Sequence, residues 1–358
     1  MGSAISEIRH MAFNLGGLAR FTHTQLFKSS GTNYRLSPKR ISRLLTFYVV
    51  FFVVELATWT GFLMDNVFLE EYRQIDVKQP VFIVGNPRSG TSFLLRLLGK
   101  DTTTFTCMDM WEVLLAPSVT QRQIVRWLGG LDKTIGRPLD RLALAWRRQW
   151  QENNVAHRMG LRVPEEDQYL LLHTWSTLAI WVFSGILDEA RPYTYFDSLM
   201  PAAEKKRIMS FYKRCVQRHL YAHAGPEGGQ HYLGKNPSAS PKVDTLYEFF
   251  PDAKIIYVVR NPLDTIPSYI SLLDYEWRLF GDPIEPFGGR DYVLEMARHW
   301  YTYPLERLEQ APPDQYTIVR FNDLVNDAEQ TVMDIYDRFD LELPLDYARM
   351  LEAEGKRA

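Results

Sequence analysis

Two short stretches of this 358-residue chain carry residues suited to holding an anion. The first, Gly85-Asn-Pro-Arg-Ser-Gly-Thr-Ser92, has the glycine spacing of a nucleoside-triphosphate loop, G-x-x-x-x-G-K-[ST]. Thr91 stands where that pattern has Lys, and Arg88 inside the loop supplies the positive charge. The replacement argues against an ordinary ATPase or GTPase and for a phosphate-like group bound by different chemistry. The second stretch, Arg260-Asn-Pro-Leu-Asp-Thr-Ile-Pro-Ser268, offers a planar guanidinium fork and, eight residues on, a hydroxyl. By itself Arg260 also reads as half of a surface salt bridge. Taken with the first loop, it reads as a second anion site.

The flanking residues dictate how such groups would be positioned. Val81-Phe-Ile-Val84 is a run of β-formers and Phe93-Leu-Leu-Arg-Leu-Leu98 an apolar helical stretch. The loop between them therefore sits where backbone N–H groups and a helix N-terminus converge. Lys254 to Val259 predicts a strand bounded by Pro251-Asp252 and Asn261-Pro262, and Tyr316 to Arg320 another, followed by a helix from about Asn326 to Phe339. Tyr232 to Gly234 is a weaker strand. Further helices are expected over Leu139 to Trp150, Glu166 to Leu187, and Ala202 to Tyr221 behind Pro201. Strands alternating with helices predict an α/β fold, a P-loop-like parallel sheet flanked by helices. In such sheets ligands sit at the carboxyl ends of strands, where Arg88 and Arg260 both fall.

Composition narrows the class. Hydrophobic residues make up 46% and charged residues 23%, which is globular. A formal net charge of -2 leaves no broad basic footprint for nucleic acid. Cys107 and Cys215 form no disulfide framework and show no metal-ligand spacing. The one N-x-[ST] triplet, Asn236-Pro-Ser238, is blocked by its Pro. Both facts fit a reducing, cytoplasmic location. Residues 1–40 read as an arm without periodicity, and Asp65 to Gln79 as a polar hinge. Between them, residues 44–64 are apolar for about the length that spans a bilayer. Glu55 near the middle is costly in hydrocarbon, and Arg35, Lys39, Arg40 and Arg43 precede the segment. Two readings stand: a membrane-associated helix, monotopic or spanning, or a helix docked on the main domain.

Asn86-Pro-Arg-Ser-Gly-Thr-Ser92 resembles the 5′-phosphosulfate loop of the sulfotransferases that use 3′-phosphoadenosine 5′-phosphosulfate (PAPS), in the form found in many bacterial members. Val259-Arg-Asn-Pro-Leu-Asp264 with Ser268 is similar to that family's 3′-phosphate motif. His157-Arg-Met-Gly160, Val163-Pro-Glu-Glu-Asp167 and Gly234-Lys-Asn-Pro-Ser238 resemble segments that lie between the two loops in one bacterial branch. The resemblance covers roughly residues 78 to 340 and implies three parts: an N-terminal arm and helix (1–78), a sulfotransferase domain (79–345) and a short tail (346–358).

It also implies roles. Arg88, Ser89, Gly90, Thr91 and Ser92 would hold the phosphosulfate, and Arg260 and Ser268 the 3′-phosphate. Lys235 would meet the transferring or bridging oxygens. The resemblance also implies that no metal is expected, so these cations and N–H groups must stabilise the charge that develops. The branch usually carries His just after Lys-Asn-Pro-Ser, and here that position is Ala239. Glu166 is then the leading candidate for the base, ahead of its neighbours Glu165 and Asp167, with His157 and His173 weaker; Ser240 is a poor base. The same acids also read as residues complementing a helix dipole after Pro164. Trp146, Trp150, Tyr169, Trp175, Trp181 and Phe183 lie between the anion stretches and would line a lipid-linked or other small-molecule acceptor cleft, or pack as core. The branch often continues past the point where Lys356 and Arg357 stand. The competing readings are a P-loop nucleotide kinase or hydrolase, and an inactive nucleotide-binding homologue.

Overall fold

The computed structural model describes residues 13–134, 161–224, 229–284 and 288–355. Strands β1 (Val81–Gly85), β2 (Phe105–Thr106), β3 (His231–Lys235), β4 (Lys254–Val259) and β5 (Tyr316–Arg320) form one parallel sheet in the order β2-β3-β1-β4-β5. The near-continuous apolar runs of β1 and β4 follow from burial on both faces. Side chains alternate across the sheet. Val81, Ile83, Ile256 and Val258 point to the layer that holds helix α3 (Thr91–Leu98) and the C-terminal helices α9 (Ala328–Phe339) and α10 (Leu345–Gly355). Phe82, Val84, Ile255 and Tyr257 point to the larger opposite core.

Register does the positioning. Gly85 of β1 pairs with Val258 of β4, and Ile83 with Lys235 of β3. Three neighbouring strands thus end almost level, so that Lys235 and the loops carrying Arg88 and Arg260 leave the sheet at one edge. The remaining principal helices are α1 (Leu15–Phe27), α2 (Pro38–Phe68), α4 (Val119–Thr134), α5 (Leu178–Ser184), α6 (Ala202–Ala224), α7 (Pro262–Phe280) and α8 (Arg290–Leu308).

Strands β1, β4 and β5 fall where the sequence places them; three other expectations need correction. Glu166 to Leu187 is not one helix. A 3-10 helix over Asp167–Thr174 stops at Trp175, whose φ of 53° is left-handed, and α5 restarts with Thr177 as its cap. The break seats the fully buried Trp175 ring edge-on against Phe21 and Phe51, with ring centroids 5.3 and 5.0 Å away. Burial of a large aromatic overrides helix continuity here. Residues 1–40 are not wholly an arm, because α1 follows its cap Asn14, whose Oδ1 accepts from Gly17 N at 2.7 Å. Nor is Asp65 part of a hinge. It is wholly buried, accepts from Arg218 Nε at 3.0 Å, and caps α4 by accepting from Val119 N and Thr120 N at 2.9 and 2.8 Å. The helix expected over Leu139 to Trp150 lies outside the described residues.

Helix α2 is long and apolar enough to cross a membrane. Its buried side is nevertheless docked: Glu55 accepts from His173 Nδ1 at 2.7 Å and from Trp59 Nε1 at 3.1 Å.

Candidate active site

At the common edge of β1, β3 and β4 lies a cavity of about 440 Å³. The loop after β1 forms its floor. Gly90 has φ 98°, and a Cβ there would lie 2.6 Å from the Phe321 ring, so both conformation and space demand glycine. Arg88 also sits in the left-handed region at φ 68°, an arrangement that costs an L-residue about 1–2 kcal/mol. Its Nε donates to Ser268 Oγ at 3.0 Å, and Arg260 Nη1 donates to the Arg88 carbonyl at 3.3 Å. Arg260 stacks 4.2 Å from the Phe321 ring centre. The two anion stretches, 180 residues apart at Arg88 and Ser268, therefore form one continuous rim.

Within the loop the residues divide their work. Ser89 is wholly buried and its N–H donates to Asn86 O at 3.2 Å, so it shapes the loop rather than facing the cavity. Gly90, Thr91 and Ser92 open α3 and line the cavity. N–H groups of a first helical turn have no intrahelical acceptor, which leaves these free to meet an anion.

Lys235 closes the site from β3. Its buried ammonium donates to Ser92 Oγ at 3.0 Å and to Glu166 Oε1 at 2.8 Å. Gln168 Nε2 holds the other Glu166 oxygen. The Lys235 side chain is 0% exposed and that of Glu166 20%, so the pair is sealed on the Lys side and open on the Glu side.

The three neighbouring acids diverge. Glu165 faces the cavity. Burial raises its carboxyl above the ordinary value, with Lys235 and Arg96 opposing and Glu166 reinforcing the rise. Asp167 points the other way, into the core. Its Oδ2 accepts from the Tyr212 and Tyr232 hydroxyls at 2.6 and 2.9 Å, which removes it from the candidates for the base. His173 is likewise occupied, by Glu55 and by the Val113 carbonyl at 2.9 Å, and His157 lies outside the described residues. Ala239 is buried in the core. Ser240 exchanges hydrogen bonds with Gly85, accepting from its N–H at 3.1 Å and donating to its carbonyl at 3.2 Å.

The opposite wall is apolar. Leu178, Val182 and Phe183 of α5 face Tyr269 and Leu272 of α7, and Tyr169 completes it. Trp175 and Trp181 are core residues instead, while Trp146 and Trp150 lie outside the described residues. Sequence reasoning missed Glu276, which lines the same wall with its carboxyl raised by burial. The signal was present in the spacing Tyr269, Leu272, Glu276, which is i, i+3, i+7 on one helical face. Phe321, the partner of Gly90 and Arg260, carried no recognisable local pattern.

A model of the sulfotransferase family matches residues 80–345. The chain belongs to the sulfotransferase family. That span of the family domain begins just before β1 and ends as α10 starts, so it contains all five strands and the whole cavity rim. Among characterised relatives, the omega-hydroxy-beta-dihydromenaquinone-9 sulfotransferases of Mycobacterium bovis and Mycobacterium tuberculosis are each 25% identical over 275 residues, covering 73% of this chain. The chain spans 63% of the length of those relatives. The fold is shared with a crystal structure of a Mycobacterium avium sulfotransferase, with TM-score 0.71 and 17% identity, covering 95% of this family member and 81% of that chain. A Mycobacterium tuberculosis sulfotransferase also shares it, with TM-score 0.60 and 22% identity over 84% and 75% of the two chains.

Proposed function

We propose that the chain transfers a sulfuryl group from PAPS to the hydroxyl of a small, lipid-type acceptor. The observation that carries this reading is the rim itself. Arg88, Arg260, Ser92 and Glu166 line one cavity; Ser268 holds Arg88 at one side, and the buried Lys235 bridges Ser92 to Glu166 at the other. The residues fit such a donor: a glycine-floored cradle at a helix start suits the 5′-phosphosulfate, and the Arg260 fork beside Ser268 suits a separate 3′-phosphate. Lys235 and Arg88 would supply cationic charge of the kind that phosphoryl enzymes draw from a metal.

In the transfer the acceptor oxygen bonds to sulfur, the bond from sulfur to the phosphate oxygen breaks, and the acceptor proton goes to Glu166. Glu166 and Lys235 act as a coupled pair. When Glu166 takes the proton, its hold on Lys235 weakens, and the ammonium, still anchored at Ser92, turns its charge toward the departing phosphate oxygen. Gln168 holds the second carboxylate oxygen and so fixes which one faces the acceptor. Glu165, its proton affinity raised by burial, is the reserve base. Leu178, Val182, Phe183 and Leu272 exclude water and receive an apolar molecule ending in a hydroxyl, the kind of acceptor named for the curated relatives.

The test is transfer of radiolabelled sulfate from PAPS into a lipid extract, with thermal stabilisation by 3′-phosphoadenosine 5′-phosphate (PAP) compared with ATP plus Mg²⁺. Stabilisation by PAP together with label in an extracted lipid is expected. Preference for ATP would favour a kinase or hydrolase, and PAP binding without transfer would mark an inactive homologue. Glu166→Gln should lower turnover about 100-fold while leaving PAP affinity within a factor of about two; near-native turnover would remove Glu166 from the mechanism.

A further inference from the structure

We infer that α2 is a monotopic membrane-docking element that lays its outer face on an anionic lipid bilayer without crossing it. Between Leu44 and Phe68 the only charged residues are Glu55 and Asp65. Both are buried on the domain side, Glu55 against His173 and Asp65 against Arg218. The opposite side is apolar and open: Leu45, Val49, Val53 and Leu56 are 62%, 66%, 65% and 74% exposed, and Leu63 and Val67 continue the stripe. From Leu45 to Phe68 this face runs roughly 35 Å, well beyond the scattered apolar exposure usual for a water-facing surface.

The same residues exclude a spanning helix. To cross a bilayer, α2 would have to leave the domain, placing Glu55 and Asp65 in hydrocarbon and stranding the buried Arg218 and His173 without their carboxylates. Docked, the helix keeps every one of those bonds and presents an apolar face interrupted only by Thr46 and Thr60, whose hydroxyls donate to the Ser42 and Leu56 carbonyls of the same helix.

Charge and continuity favour a bilayer over a second copy of the chain. Lys28, Arg35, Lys39 and Arg43 are exposed around the start of α2, where anionic headgroups would meet them, and Glu70 and Glu71 lie at the far end. The basic end is also the cavity end. Arg40 in the first turn of α2 donates through Nη2 to Ser184 O at 2.8 Å, at the end of α5. Val182 and Phe183 of α5 line the apolar wall of the cavity. Lys39 and Arg35 reach the Arg278 and Asp282 carbonyls at the end of α7, the other wall. A lipid-type acceptor would thus meet the cavity from the side on which the bilayer lies. The choice of a bilayer rests in this part on the acceptor proposed above; the docked geometry of α2 does not.

The test is flotation of the full chain with phosphatidylcholine–phosphatidylglycerol vesicles and with phosphatidylcholine vesicles alone. Binding to the anionic vesicles, released by alkaline carbonate and weakened by salt, is expected. The triple substitution Val49→Glu, Val53→Glu, Leu56→Glu should reduce the vesicle-bound fraction at least tenfold, as should the milder Val49→Ser, Val53→Ser, Leu56→Ser set if the first fails to fold. Unchanged flotation in a folded variant overturns the inference. So does resistance to carbonate, which marks a spanning helix, or a dimer in solution that the substitutions dissolve without any vesicle binding. PAP-induced thermal stabilisation, measured on the same proteins, reports on the nucleotide site alone, so failure of the membrane reading and failure of the sulfotransferase reading give different results.

Discussion

Two groups of buried acids and bases in this molecule differ in one respect. At the cavity, Lys235, Glu166, Ser92 and Gln168 form a chain of hydrogen bonds with one open side. Behind β2 and away from the cavity, Glu112, Arg122 and His219 form a closed one, with the exposed His223 at its edge. Arg122 Nη1 donates to His219 Nδ1 at 3.0 Å, and the other His219 nitrogen meets Thr106 Oγ1 at 2.8 Å. His223 Nε2 meets Glu112 Oε1 at 2.7 Å, and Arg122 Nε lies 3.6 Å from that same oxygen. Glu112, His219 and His223 bring ligand atoms within 4.8 Å of one another, the residue types of a metal site. A guanidinium already engages two of the three. Burial works to raise the Glu112 carboxyl, yet Arg122 and the two histidines hold it well below the carboxylate range. Residue type therefore does not distinguish a site from a strut. What does is whether a polar group keeps a free edge on a cavity large enough for a substrate.

The comparison is open to test from its closed side first. Arg122→Ala leaves Glu112, 2% exposed, without its guanidinium. Removing one member of a buried pair costs about 3–5 kcal/mol, so denaturant unfolding should show a loss of that size while PAP affinity per folded molecule stays the same. A stability change below about 1 kcal/mol would mean that the closed cluster is not a strut. From the open side, Lys235→Met should do the reverse: turnover down about 100- to 1000-fold, the range for removing one preorganised charge donor, with little change in unfolding midpoint because Glu166 keeps its Gln168 contact and access to solvent. A folded variant with native turnover would put Lys235 among the struts.

Asp167 tests the boundary between the two groups, since it adjoins Glu166 in sequence and belongs to the core in space. Burial raises its carboxyl from 3.8 to about 6, against the pull of two phenol hydrogen bonds. The folded protein therefore holds this proton more tightly than the unfolded chain does. Its contribution to stability is full below about pH 4 and is lost as pH rises through about 6, a swing of up to about 3 kcal/mol. Glu112, with a depressed carboxyl, has the opposite sign, and its contribution is lost as pH falls. Unfolding of Asp167→Asn across pH 4 to 7 should lack the decline seen in the parent protein. Identical pH profiles would show that Asp167 does not titrate differently on folding.

The sheet was legible because β1 and β4 are buried on both faces and so read as unbroken runs of Val, Ile, Phe and Tyr. The rim was legible for a related reason: Gly85, Gly90 and Arg88 are tied to one backbone shape, and such constraints leave local patterns. What was not legible depends on contacts distant in sequence. The break at Trp175 exists because Phe21 and Phe51 surround that ring, and nothing within the 166–187 segment announces them. Asp65 reads as polar hinge until Arg218, 153 residues later, is placed beside it. Whether Glu165, Glu166 or Asp167 faces the cavity was undecidable along the chain, because three consecutive acids at the entry to a 3-10 helix differ only in direction.

The smallest expected effect concerns the rim's second anion stretch. Arg260 is tied to the Arg88 carbonyl, to the Phe321 face, and at 3.6 Å to Asp264. If it were only a strut like Arg122, Arg260→Ala would alter stability and weaken all nucleotides equally. If its fork and Ser268 read a 3′-phosphate, the variant should bind PAP about 10-fold more weakly, the worth of one charge-assisted hydrogen bond in a partly exposed setting. Binding of adenosine 5′-phosphosulfate, which lacks that phosphate, should hold within about twofold. Isothermal titration with the two ligands separates the cases, and equal losses for both would move Arg260 from the open group to the closed one.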